Sequence, residues 1–334
     1  VAAYYFVPGV VFASWASRIP DVKHLLHLGN GQLGSVLFAI PIGQLLMMTF
    51  SGILVSKFGS KKMLVVSEVF YALALLSIGF SHTVFHLILS LVAFGMMANL
   101  MNIATNTQAC FLEKMYGRNI MSSFHGLWSL GGFAGGIVGS IFASTSLPIP
   151  VHFGSILVMS LLVIAIGLRY LVDDQTAKAE EEEVPKFSFR TIDPTLFLLG
   201  LMGFGGRFCE GTVYDWSSVY FSSVVKPDEA FIRAGYVAGM GAMTLGRFLA
   251  DGFVTKYGPS KVLKTCGALI VVGLWMAAAL PYLITATLGF LLVGFGISSS
   301  VPICYSIAGK LGTMKASIAL TIVSSISFFG FLVG

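Results

Sequence analysis

The chain has 334 residues, of which 56% are hydrophobic and only 10% charged, whereas soluble domains average about 25% charged. Its 20 basic and 15 acidic residues are too few to cover a water-soluble body of this size, which excludes a soluble enzyme, a disordered chain and a nucleic-acid-binding module. The pI near 9.0 is set by loop residues, because membrane chains gather Lys and Arg in their cytoplasmic loops.

A bilayer-spanning helix needs about 20 mostly apolar residues. Eleven stretches meet that requirement, at roughly 1–17, 32–56, 62–81, 84–111, 120–143, 150–171, 194–223, 233–255, 261–281, 284–309 and 316–334. They are too long for barrel strands and lack strand alternation. Both ends read as cuts through a longer protein. Residues 172–193 form the one charge-dense connection and include the acidic block Glu180–Glu183. The expected organisation is a six-helix bundle over 1–171, a solvated linker over 172–193 and a second bundle over 194–334. Taking the loop after span two as cytoplasmic puts fourteen Lys and Arg on that side and four on the other, Arg18, Lys23, Lys226 and Arg233. The positive-inside rule then places the amino terminus and the linker in the cytoplasm.

Polar residues inside the spans are costly and therefore carry the functional reading. Span four bears Asn99, Asn102 and Asn106 at i, i+3 and i+7. One face of amides suits a polar cavity wall. Span five bears His125, with Trp128 and Ser129 alongside. Gly131, Gly135 and Gly139 follow at four-residue spacing, which reads as close helix packing. Span seven bears Arg207, Glu210 and Tyr214 on one face, so Arg207 and Glu210 pair and Glu210 is the candidate proton-coupling carboxylate. Gly203, Gly205 and Gly206 are expected to loosen that helix. In span eight, Arg247 and Asp251 at i, i+4 are expected to pair as a lock. Span ten offers Ser299 and Tyr305, with Pro302 kinking the helix. Glu68 in span three reads as the partner of a cytoplasmic base or as a helix contact. The four cysteines read as small packing residues. The histidine pairs His24/His27 and His82/His86 read as interface residues, not a zinc site. No phosphate loop and no catalytic constellation occurs, so no metal, cofactor or enzymatic activity is expected.

The turn 54–64 (LVSKFGSKKML) and the turn 253–263 (FVTKYGPSKVL) superpose at an offset of 199, with Lys57/Lys256, Phe58/Tyr257, Gly59/Gly258, Lys62/Lys261 and Leu64/Leu263 in register. Equivalent turns six spans apart point to two parallel halves. With Gly52, Leu54, Lys57, Gly59, Lys61 and Lys62, the first turn resembles the loop signature of the major facilitator superfamily. Ser56 and Thr255 stand where that signature has Asp. The segments 12–23, 121–132 and 209–221 resemble the bacterial YbjJ-type, sugar-permease-like branch. The resemblance implies an all-α membrane fold of two six-helix bundles, with eleven of twelve helices present. It also implies a central cavity lined by helices one, four, seven and ten. That cavity gathers Trp15, Asn99, Asn102, Asn106, His125, Arg207, Glu210, Tyr214, Ser299 and Tyr305. The gate then falls to Gly52, Lys57, Gly59, Lys62, Arg247, Asp251, Lys256 and Gly258. The expected activity is proton-coupled secondary transport of a small polar solute, a sugar or related metabolite, across the bacterial inner membrane. The expected partners are that solute, protons and the lipid bilayer, without nucleic acid, and the chain is expected to act as a monomer. The alternatives are a drug/proton antiporter and a non-transporting sensor on the same fold.

Overall fold

A computed structural model describes residues 1–145, 147–173, 193–228 and 231–334. The acidic block Glu180–Glu183 and most of the linker lie outside the described residues.

Long helices occupy all eleven expected stretches. They are α1 (Ala3–Leu25), α2 (Asn30–Leu37 and Ala39–Phe58), α3 (Ser60–Gly79), α4 (Val84–Tyr116), α5 (Met121–Ala143), α6 (Ile149–Gly167), α7 (Pro194–Tyr220), α8 (Ala234–Tyr257), α9 (Pro259–Ala279), α10 (Leu283–Ser298 and Ser300–Lys310) and α11 (Ala316–Val333). No strand occurs among the described residues. Eight of these spans are long and apolar enough to cross a membrane. The remaining three, α1, α7 and α8, hold Arg18, the Arg207–Glu210 pair, and Arg247 with Asp251. Those charges lower the apolar average of each helix, so the same residues that weaken the membrane signal mark the polar interior.

Two local details differ from the sequence reading. α1 runs on to Leu25, so Arg18 is a buried helix residue and not part of an outer loop. Its guanidinium pairs with Asp21 at 2.7 Å and donates to His152 Nδ1 at 3.4 Å, while Nη2 is buried without a hydrogen-bond partner. α7 is continuous through Gly203, Gly205 and Gly206. Gly203 instead admits Ser327 of α11, and Gly206 admits Ser300 of α10. The break falls in α10 at Ser299, because Pro302 has no N–H to give the Ser298 carbonyl.

The chain divides into two compact units. Val1–Leu112 and Leu127–Glu183 form one, and Glu113–Gly126 and Val184–Gly334 form the other. The α4–α5 connection therefore clusters with the C-terminal unit. In the N-terminal unit, α3 and α1 pack on α6. α5 approaches α1 closely: a Cβ on Gly131, Gly135 or Gly139 would meet Phe6, Val10 or Ser17, as the four-residue spacing predicts. In the C-terminal unit, α7 packs on α11, and α8 and α9 pack on α10. Val213, Phe221, Met243, Phe290 and Val293 lie in the apolar core of this second unit. Asp193 caps α7 by accepting from the Thr195 N–H at 2.8 Å, and this bonding lowers its carboxyl below the usual value.

Candidate functional site

The polar heart of the C-terminal unit is an ion cluster centred on Glu210. Its carboxylate bridges two guanidiniums: Arg207 Nη1 lies 2.8 Å from Oε2, and Arg247 Nη2 lies 3.2 Å from Oε1. Arg207 comes from the preceding turn of α7, while Arg247 reaches across from α8. The Arg207–Glu210 pair is as the i, i+3 spacing predicts. The Arg247–Asp251 pair is corrected: Arg247 turns to Glu210, and Asp251 accepts from the backbone N–H groups of Ser122 and Ser123 at 3.1 and 2.7 Å. The free N–H groups at the start of a helix draw a carboxylate. The buried Glu210, in turn, draws a second cation. Two arginines against one glutamate leave the cluster with a formal charge of +1. Glu210 and Arg247 side chains are each 6% exposed, while Arg207 is 26% exposed, so Arg207 is the member open to an incoming group.

Aromatic and hydroxyl groups surround this cluster. Tyr305 of α10 interacts with Arg207 and Ser324. His125 packs edge-on against Tyr305, with ring centroids 6.0 Å apart. Tyr214 lies edge-on to Tyr236 and Phe331. Thus Arg207, Glu210, Tyr214, Arg247, Tyr305 and His125 share one environment. Ser299 does not join them. It faces α9, with its hydroxyl 3.3 Å from Cys266 Sγ, and lines an apolar groove of about 580 Å³ with Phe253 and Tyr257. The break in α10 shifts the register, so Ser300, not Ser299, meets α7.

The N-terminal unit holds Trp15 and the three amides. Trp15 is fully buried in α1. Asn99 Oδ1 accepts from the Ser51 hydroxyl at 2.6 Å, which ties α4 to α2. Asn106 Oδ1 accepts from the Tyr5 hydroxyl at 2.7 Å, and its Nδ2 donates to the Asn102 carbonyl at 2.8 Å. Two of the three amides therefore hold helices together. Asn102 is half-buried, and its side chain has no hydrogen-bond partner among the described residues.

The two basic turns have the same geometry. Gly59 sits at φ +91° and ψ 146° between α2 and α3, and Gly258 at φ +81° and ψ 155° between α8 and α9. This region of backbone space belongs to glycine. Lys57 and Lys62 stand 5.4 and 5.8 Å from the Phe58 ring, and Lys256 stands 5.1 Å from Tyr257. Gly52 is buried in α2. The duplicated turns agree with the family model of the Major Facilitator Superfamily, which matches residues 3–334. The chain belongs to this superfamily.

Two relatives extend the match to individual proteins. An MFS-type transporter of Yersinia pestis that is itself uncharacterised is 30% identical over 332 residues, covering 99% of this chain and 85% of that protein. The membrane protein MosC of Rhizobium meliloti is 29% identical over 340 residues, covering 100% of this chain and 81% of MosC. Among solved structures, the MFS transporter FucP in its outward conformation superposes with a TM-score of 0.78 at 15% identity, covering 99% and 88% of the two chains. The proton:xylose symporter XylE gives 0.74 at 12% identity, covering 99% and 86%. These likenesses establish the fold, so this superfamily member is a multi-pass membrane protein of a transporter family.

One part of this MFS chain left no trace in the sequence reading. Glu113, at the end of α4, is fully buried. Its Oε1 accepts from the Ile120 and Met121 N–H groups at 2.8 and 2.9 Å. Oε2 accepts from the Ser306 hydroxyl and pairs with Lys310 Nζ at 2.7 Å. Lys310 also donates to Asn119 Oδ1 at 3.3 Å. With Asp251, Glu113 caps the start of α5 twice over. Both acids line a cavity of about 240 Å³ together with Ser122, Pro302, Ser306 and Lys310. The available signal was an acid eight residues ahead of a helix start.

Proposed function

We propose that the protein is a secondary active transporter that moves a small polar solute, a sugar or related metabolite, across the bacterial inner membrane by alternating access, driven by protons. The Arg207–Glu210–Arg247 cluster carries this reading. Protonating Glu210 removes the charge that holds Arg207, the half-exposed member, and frees its guanidinium for a hydroxyl or carboxylate of the solute. Proton binding and solute binding are then linked through one side chain. Tyr305 and His125 supply further polar contacts for such a solute. Two sugar–proton symporters, FucP and XylE, share the fold, which supports the solute class. Glu113 and Asp251, with the basic turn around Gly258, serve as a gate of the C-terminal unit. The Lys and Arg asymmetry supports a cytoplasmic amino terminus and linker.

A thermal-shift panel of sugars, sugar acids, amines and hydrophobic cations tests the solute class. A ligand at a hundredfold excess over its Kd stabilises the native state by about 2.7 kcal/mol. A hit confined to hydrophobic cations would favour the drug antiporter instead. With the hit in hand, Glu210→Gln in proteoliposomes is expected to lose proton-driven accumulation and to keep counterflow. Undiminished accumulation would remove Glu210 from the coupling role.

A further inference from the structure

Four acids are buried among the described residues: Glu68, Glu113, Glu210 and Asp251. Three have hydrogen-bond or ion-pair partners. Glu210 has two guanidiniums, Glu113 has Lys310 and two backbone N–H groups, and Asp251 has two backbone N–H groups. Glu68, in the third turn of α3, is 2% exposed, and neither of its carboxyl oxygens has a hydrogen-bond partner. The base expected from the sequence is absent.

The surroundings of Glu68 explain why nothing neutralises it. The neighbouring Ser67 hydroxyl donates to the Leu64 carbonyl. The titratable groups near it are phenols, Tyr4 of α1 and Tyr71 one turn on in α3. Tyr4 lies against Ile164 and Gly167 of α6, and Tyr71 stacks on Phe94 of α4 at 4.2 Å. Charged groups on the packed helices are engaged elsewhere. Arg18 pairs with Asp21, His152 stacks on Phe142, Lys57 stands over Phe58, and Arg169 stacks on Tyr170. Lys61 and Lys62, at the start of α3, form no ion pair with Glu68. An ionised carboxylate in such a setting has neither solvent nor counter-charge, so the group is carried as the neutral acid.

We propose that Glu68 is a proton-binding site of the N-terminal unit, protonated at neutral pH, and that it releases and regains this proton during the transport cycle. The second half rests on the proton-coupled reading above, and the first half does not. The proton passes between the carboxyl oxygen and water admitted when the helices around Tyr4 and Tyr71 part.

Infrared difference spectra of the purified protein in nanodiscs, stepped in pH and repeated in D2O, read the first half directly. A protonated-carboxyl C=O band is expected at neutral pH and is expected to vanish in Glu68→Gln. No band in the wild type, or a band that persists in the variant, overturns the proposal. If the variant does not fold, a hydrophobic carbodiimide on the wild-type protein decides the matter, because it modifies buried carboxyls that hold a proton. Peptide mapping is expected to find the adduct on Glu68, and an adduct confined to other acids overturns the proposal. For the second half, Glu68→Gln is expected to lower the number of protons moved per solute at least twofold while counterflow persists. An unchanged ratio overturns the release step. A wild type that moves no solute sinks the transport reading and leaves the infrared result standing.

Discussion

The turns 54–64 and 253–263 are two copies of one design, and just ahead of them an acid is present in the second half and absent from the first. Both place a glycine at a φ that other residues avoid, and both set lysine over an aromatic ring. At the offset of 199, however, Gly52 in the first half stands where Asp251 stands in the second. Gly52 is buried in α2 with no charge to place. Asp251 is buried at the end of α8 and holds the first N–H groups of α5. The duplication has kept what the turn geometry requires and has diverged where a helix start needs a carboxylate. Backbone symmetry between the halves therefore does not extend to the acids that hold the start of α5, which lie in the C-terminal unit as the contacts define it.

Asp251→Ala breaks this asymmetry most severely. It strands two buried N–H groups that now bond to a charge, and its expected cost is about 3 kcal/mol. The measurement is the melting temperature of the purified protein in detergent. Asp251→Asn keeps one acceptor and is expected to recover part of the loss. Equal stability of the alanine variant and the wild type would mean that Asp251 does not hold the start of α5. The glycines come next. Gly59→Ala and Gly258→Ala are each expected to cost about 1–3 kcal/mol, because both sit in backbone space that only glycine occupies without strain. A Cβ at Gly258 would meet no atom, so that cost is conformational. Unequal costs at the two glycines would show that the turns are equivalent in sequence only.

Much of this was legible because two signals are strong and local. Apolar length located the eleven helices, and the repeat located the turns. The Arg207–Glu210 pair followed from i, i+3 spacing on one helix. The partner of Arg247 did not, because Glu210 lies 37 residues away on another helix. The i, i+4 neighbour Asp251 was the nearer inference and the wrong one. Glu113 and Asp251 bond to backbone N–H groups, and a backbone partner leaves no residue type to search for. Ser299 was misplaced because the missing N–H of Pro302 breaks α10 at Ser299 itself, and it is Ser300 that meets α7. The amides of span four pointed to one face, but sequence spacing says nothing of Tyr5 and Ser51, which engage two of them. Glu68 was read as the partner of a cytoplasmic base or as a helix contact, whereas its significance lies in the partners it lacks.

The smallest effect separates the two turns by number of cations. Phe58 has Lys57 and Lys62 within 6 Å, whereas Tyr257 has Lys256 alone among the described residues. An exposed cation over a ring contributes about 0.5–1 kcal/mol. Lys57→Gln leaves Lys62 in place over its ring, while Lys256→Gln leaves the second ring bare. Lys256→Gln is therefore expected to lower the melting temperature more than Lys57→Gln does, and the double change Lys57→Gln/Lys62→Gln is expected to match it. The ring contact lies well inside the Debye length of roughly 10 Å at 0.1 M salt, so the ordering should survive moderate salt. If added salt erases it, the lysines act as general surface charge and the aromatic residue at this position of the repeat is there for packing.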